Sequence, residues 1–168
     1  VIYRDDDISQ YTDLETIMAI QDVFDHHGKI HTVTIIMERL WESRGVWEWL
    51  MTTENIDVAF HGWIHCDYAG VSYEGTLRMF RQSLTEWKKH TERMGYTKQL
   101  KVFYPPWNSW NANTARACEE VGLELNASID TSEVYNFHWY EFVKQNRQAR
   151  IAKFRELGEV LKRDHPGA

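Results

Sequence analysis

At 168 residues the chain has the length of one domain with material for a sizeable core, and residues 1–168 are read as a single domain. Its 43% hydrophobic and 26% charged fractions are those of a soluble globular protein, while a net charge of −6 argues against nucleic acid or an anionic membrane as partner. No apolar run approaches the ~20 residues that span a bilayer, and the two cysteines, Cys66 and Cys118, make neither a disulfide framework nor a CxxC zinc site.

In chain order, Val1-Ile2-Tyr3 reads as a short strand ending in Asp5-Asp6-Asp7. A helix follows, with Thr12 and Glu15 at capping-box spacing, an apolar face of Leu14, Ile17, Met18 and Phe24, and Gly28 placed to end it. "IHTVTIIM" is a second strand, "SRGVWEWLMTTEN" a helix, and "IDVAF" a third strand running into "HGWIHCDY". In "SYEGTLRMFRQSLTEWKKHTERMG" the residues Leu77, Phe80, Leu84, Trp87, Thr91 and Met94 recur at steps of three and four, which predicts a long amphipathic helix. "LKVF" is a fourth strand before "YPPWNSWN"; a helix closed by Gly122, a fifth strand "LELNASI", a strand "VYNFHWYEF" and a helix from about Val143 to Arg163 complete the series.

Strands alternating with helices predict an α/β fold with mostly parallel strands, whose ligands gather at the carboxyl ends of the strands. The residues with chemistry follow strands in just this way. Asp5-Asp6-Asp7 follow the first. In a regular strand Asp5 and Asp7 share one face, so two neighbours converge on one site only where the chain bends; a solvated acidic turn is the alternative. His61 and His65 follow the third strand, four residues apart, a spacing that on a helical turn puts both imidazoles on one side of a zinc-type ion. After the fourth strand, Pro105 and Pro106 stiffen a loop whose Trp107 and Trp110 are candidates for stacking on a sugar ring or for core packing. His138 is a candidate general acid if these strand ends share a pocket. His26 and His27 sit where histidines complement a helix dipole, and are read as structural. Aromatic content is 14%, with eight tryptophans, a surplus that suits ring stacking.

These segments, in order, resemble the polysaccharide deacetylases, the NodB-homology domains of carbohydrate esterase family 4. "YRDDD" is similar to the family's Thr-Phe-Asp-Asp-Gly, "HGWIH" to its His-(Ser/Thr)-x-x-His, "YPPW" to Arg-x-Pro-Tyr and "FH" to the late Leu-His. The resemblance implies a distorted, incomplete (β/α) barrel of mostly parallel strands. It implies a metal ion, most naturally Zn2+ with Co2+, Ni2+ or Mn2+ as substitutes, held by Asp6, His61 and His65. Asp5 would be the catalytic base and His138 the acid, with substrate contacts from Tyr104, Pro106, Trp107, Trp63 and Trp139. The implied reaction is hydrolysis of an N-acetyl (or O-acetyl) group on a saccharide: the metal polarises the acetyl carbonyl and acidifies its water, Asp5 takes the proton and His138 protonates the leaving amine.

Three departures from the family pattern stand out. Tyr104 occupies the place of an Arg that touches the base, Gly62 replaces Ser/Thr, and Asp7 replaces Gly. The family's Asp-x-x-Asp-Trp is echoed only by Asp130 and Glu133. Arg4 is a candidate for the missing cation, although alternation along a strand points it away from its neighbour Asp5. Two other classes compete. "VIYRDDDIS" also suits a haloacid-dehalogenase-type magnesium phosphohydrolase with Asp5 as nucleophile and Asp7 as acid/base, and the lost Arg suits a non-catalytic glycan-binding domain. A cytoplasmic location is expected, with export left open because the chain starts at Val1 and not at Met.

Overall fold

The computed structural model describes residues 1–127, 133–143 and 146–163. Its strands are β1 (Ile2–Ile8), β2 (His31–Ile35), β3 (Ile56–Phe60), β4 (Val102–Phe103), β5 (Glu124–Leu125) and β6 (Val134–His138). They form one sheet in the order β5-β4-β3-β2-β1-β6, with every neighbouring pair parallel. The helices are α1 (Leu14–His27), α2 (Arg44–Thr52), α3 (Tyr73–Arg93), α4 (Ala112–Val121) and α5 (Arg147–Arg163). The sheet curls into a half-barrel, the incomplete α/β barrel expected from the sequence. No helix among the described residues is long and apolar enough to cross a membrane.

Local chemistry explains where elements start and stop. Helix α1 is capped by Asp13, whose carboxylate accepts from the Thr16 N–H at 3.1 Å; the anticipated Thr12–Glu15 box is not formed, because the Thr12 hydroxyl accepts from the Ser9 N–H instead. Gly28 ends α1 in the left-handed region at φ 61°. Met18 and Met94, counted on the apolar faces of α1 and α3, are exposed, and Thr16, Ile20 and Gln21 complete the buried side of α1. Asp130 and the later residues of the expected fifth strand lie outside the described residues.

The first strand is longer than expected, and the three aspartates lie within it. Pairing with β2 runs Asp5 to Val33 and then Ile8 to Ile35, so β1 carries one residue more than its partner. The extra residue is a bulge centred on Asp7, whose φ of 68° is a left-handed conformation that aspartate tolerates better than most residues.

Residues of alternating parity on β1 meet different surroundings. Tyr3 and Asp5 face the helices. There Phe24 of α1 stacks on His31 with ring centroids 4.4 Å apart, and Phe137 lies beside both rings. Asp5 is 0% exposed, and its Oδ2 lies 3.0 Å from His31 Nε2. The Gln21 amide N–H donates to Asp25, which leaves Gln21 Oε1 to accept from His31 Nδ1–H at 2.9 Å. His31 Nε2 is therefore an acceptor, and Asp5 donates to it as a neutral acid. Burial drives both groups that way: the Asp5 pKa is raised well above the carboxylate range, and that of His31 is pushed down to about 3.

This predicts that Asp5→Asn, which keeps a donor toward His31, retains the fold, while Asp5→Ala strands the imidazole and costs about 1–3 kcal/mol. In Asp5→Asn the His31 contribution is intact at neutral pH. It declines as pH falls from about 6.5, where the unfolded chain takes up a proton that the buried ring refuses, by at most about 1.4 kcal/mol per pH unit. Chemical denaturation at pH 7 and pH 5 checks both statements, and equal losses for Asn and Ala at pH 7 would contradict the hydrogen-bonded pair.

Candidate metal centre and active site

Beyond the carboxyl ends of β1 and β3, three side chains converge. Ligand atoms of Asp7, His61 and His65 all lie within 4.8 Å of one another. Asp7 Oδ1 is 3.1 Å from His61 Nε2 and 3.3 Å from His65 Nε2. The carboxylate that joins the histidines is thus Asp7 and not Asp6. The bulge is the reason: it turns Asp7 away from the face that strict alternation would have given it and toward the strand end.

The site has the donor chemistry of a cation site. His61 Nδ1 lies 2.6 Å from the Tyr104 carbonyl oxygen, which can only accept, so Nδ1 carries the proton and Nε2 presents a lone pair. That lone pair faces Asp7 Oδ1, a buried oxygen with no hydrogen-bond partner. Two acceptors at 3.1 Å need a proton or a metal ion between them. Burial works to raise the Asp7 pKa, but His61, His65 and His138 around it outweigh that, and the net shift is downward. Burial lowers the His65 pKa. Both shifts leave the groups in the unprotonated forms that ligate metals. Two imidazoles and one carboxylate suit a zinc-type ion with further positions open.

His61 and His65 do not lie on a helical turn. Residues 61–65 form a bend pinned by Tyr68, whose hydroxyl accepts from the Trp63 N–H and donates to the Ile64 carbonyl. Gly62, at φ 108°, is required here: a Cβ would lie 2.5 Å from the Tyr68 hydroxyl and 2.8 Å from the Ile64 carbonyl oxygen. The departure from Ser/Thr at this position therefore follows from the Tyr68 brace.

Asp6 stands on the face of the sheet opposite Asp5. Its carboxylate is buried, with Arg4 Nε 3.0 Å from Oδ1 and Arg4 Nη2 donating to Oδ2 at 3.0 Å. The Thr34 hydroxyl donates to Oδ1 at 2.7 Å and the Asn136 amide to Oδ2 at 3.0 Å. Asp5, expected as base, is turned away against His31. The same burial removes it as the nucleophile of a phosphohydrolase.

His138, at the end of β6, faces the cluster with Nε2 3.9 Å from Asp7 Oδ2. Its Nδ1 is 3.2 Å from Glu141 Oε2, which also accepts from the His138 backbone N–H, and Lys153 of α5 lies 3.3 Å from Glu141 Oε1. Burial works to raise the Glu141 pKa, but the His138 N–H and Lys153 outweigh it, and the net shift is downward. Trp107 is 69% exposed, with its ring edge-on to His65 at 4.4 Å, and both it and Asn108 have positive φ. Trp110 is also exposed, and Pro106 is buried.

Three of the expected substrate contacts are placed differently. The Tyr104 ring is buried beneath Arg4, the Trp63 ring packs with Trp41, and Trp139 donates its indole N–H to the Asp7 carbonyl, which buttresses the bulge. Arg4, Thr34, Asn136, Glu141 and Lys153 were not singled out as site residues, except that Arg4 was weighed as a substitute cation. The spacing of Arg4 and Asp6, two apart on a strand, and of His138 and Glu141, three apart, is the signal that points to Arg4 and Glu141, while Thr34, Asn136 and Lys153 reach the site from other elements.

No protein-family model and no curated protein matches the sequence. Solved structures do match. A carbohydrate esterase family 4 pseudoenzyme from Bacillus anthracis superposes with a TM-score of 0.65 at 12% identity, over 93% of this chain and 61% of that one. The peptidoglycan deacetylase PdaC from Bacillus subtilis gives 0.69 at 12% identity, over 96% of this chain and 83% of its own. A family 4 acetyl xylan esterase from Clostridium thermocellum, solved with a cobalt ion, gives 0.65 at 12%, over 96% and 83%. The chain spans less than two thirds of the pseudoenzyme's length. Four motifs in order and this superposition agree: the chain has the fold of the carbohydrate esterase family 4 polysaccharide deacetylases and resembles a divergent one.

Proposed function

We propose that the protein is a metal-dependent hydrolase that removes acetyl groups from an N-acetylated (or O-acetylated) saccharide. The observation that carries the reading is the convergence of Asp7 Oδ1 with the Nε2 atoms of His61 and His65, with His61 Nδ1 already committed to a carbonyl. These three residues would hold the ion. Zinc suits them best, and cobalt is the ion in one structure of the same fold. When bound, the metal supplies Lewis acidity toward the acetyl carbonyl and acidifies water.

The chain's own groups do the rest. Asp6, next to Asp7 and on the sheet face opposite Asp5, accepts the proton of the attacking water. His138 gives a proton from Nε2 to the leaving amine, with Glu141 and Lys153 fixing the ring through Nδ1. The Tyr104 N–H is used in the sheet, donating to Phe60, and Pro105 and Pro106 have none. That leaves the Trp107 N–H as the donor for a developing oxyanion, a contribution of about 3–4 kcal/mol when well aimed. The exposed Trp107 indole offers a face for the sugar ring. A non-catalytic glycan-binding role is the second reading, favoured by Tyr104 at the family's Arg position and by the pseudoenzyme among the structural neighbours.

Zinc titration after metal-free dialysis should give about one ion per chain. His61→Ala and Asp7→Ala should each lose binding, and zinc at about 1,000 times Kd should stabilise the wild type by about 4 kcal/mol in thermal melts. Zinc binding that ignores Asp7 or His61 would remove the centre.

Acetate release from acetylated saccharides separates the three aspartates. Asp6→Asn should keep zinc and lose about 100-fold or more in kcat. Asp7→Asn should lose both zinc and turnover, and Asp5→Asn should keep both. Zinc binding with no acetate release in the wild type would favour the glycan-binding reading.

A further inference from the structure

Arg4 is 3% exposed, an unusual place for a guanidinium, and nothing in the metal cluster touches it. Its Nη2 donates to Asp6 Oδ2 at 3.0 Å, its Nε lies 3.0 Å from Asp6 Oδ1 as an ion contact without a hydrogen bond, and its guanidinium carbon lies 4.8 Å from the centre of the Tyr104 ring. Neither Nε nor Nη1 has a hydrogen-bond partner, and the Tyr104 ring lies against the guanidinium as a cation–π partner. Tyr104 also offers its carbonyl to His61 Nδ1. One residue therefore braces a metal-site histidine with its backbone and the Arg4–Asp6 pair with its ring.

We propose that Arg4, backed by Tyr104, is the positioning residue for Asp6. The guanidinium reaches both carboxylate oxygens, one by a hydrogen bond and one by charge, while lying over the Tyr104 ring, an arrangement that a lysine's flexible point charge does not reproduce. Thr34 and Asn136, from the strands on either side of β1, complete the cradle. The arrangement follows from strand parity: residues 4 and 6 share a face, so the cation is built into the strand that presents the base. The inference rests on Asp6 being the proton acceptor.

The test is steady-state acetate release by zinc-loaded wild type, Arg4→Ala and Arg4→Lys, with zinc affinity measured in each. A misplaced base costs turnover and not binding, so Arg4→Ala should lose about 100-fold in kcat with KM and zinc affinity within about threefold. Added guanidinium should recover about tenfold in kcat. An open cavity lined by Thr32, Asp57, Ala59 and Tyr104 lies beside the residue that backs Arg4. Arg4→Lys should fall between. Full kcat in zinc-loaded Arg4→Ala overturns the proposal. If Arg4→Ala loses zinc or fold, Arg4→Lys decides: a selective kcat loss supports positioning by the guanidinium, and wild-type kcat overturns it. A wild type that releases no acetate fails the hydrolase reading and this inference with it, whereas an active wild type with an equally active Arg4→Ala overturns this inference alone.

Discussion

The site depends on one extra residue in β1. A regular strand would place Asp5 and Asp7 together on one face, with Asp6 alone on the other. The bulge at Asp7 breaks that alternation, so Asp6 stays on the face opposite Asp5 while Asp7 swings to the strand end beside His61 and His65. Aspartate is suited to the position, because its short polar side chain tolerates positive φ. The Trp139 indole N–H then ties down the Asp7 carbonyl from the far edge of the sheet.

Three consecutive carboxyl groups repel one another in water, and the fold gives each a different answer. Asp5 is neutral, donating to a neutral His31 within an aromatic stack. Asp6 is matched by a buried Arg4 and two neutral donors. Asp7 faces imidazole nitrogens and is the one that needs a cation from outside. The acidic run is thus a protonated acid, an internal ion pair and a carboxylate set among imidazoles in sequence, which is why neither a solvated turn nor a single shared ion accounts for it.

The charged supports of the site are local in sequence. Arg4 lies two residues before Asp6, and Glu141 lies three residues after His138, with its own partner Lys153 supplied by α5. This is how the chain keeps a cation beside one catalytic candidate and an anion beside the other although Tyr104 stands where the resembling family has Arg. Tyr104 still takes part, through its ring face and its carbonyl. Gly62 follows the same pattern of replacement with a reason, since the Tyr68 brace leaves no room for a side chain.

Much was legible in the sequence alone. Alternating apolar strands and amphipathic helices determined a parallel α/β sheet, because the periods of 2 and 3.6 leave few other folds. The positions of His61 and His65 after a strand marked the end of the sheet where a site forms. What only the tertiary structure decided was the reading frame of the aspartates. The family resemblance implies Asp6 for the metal and Asp5 for the base, whereas the structure sets Asp7 beside His61 and His65 and turns Asp5 against His31; the bulge behind this leaves no trace in local propensity, because it is set by how β1 pairs with β2. Arg4 and Asp6 share the other face, so a buried cation lies two residues from that carboxylate.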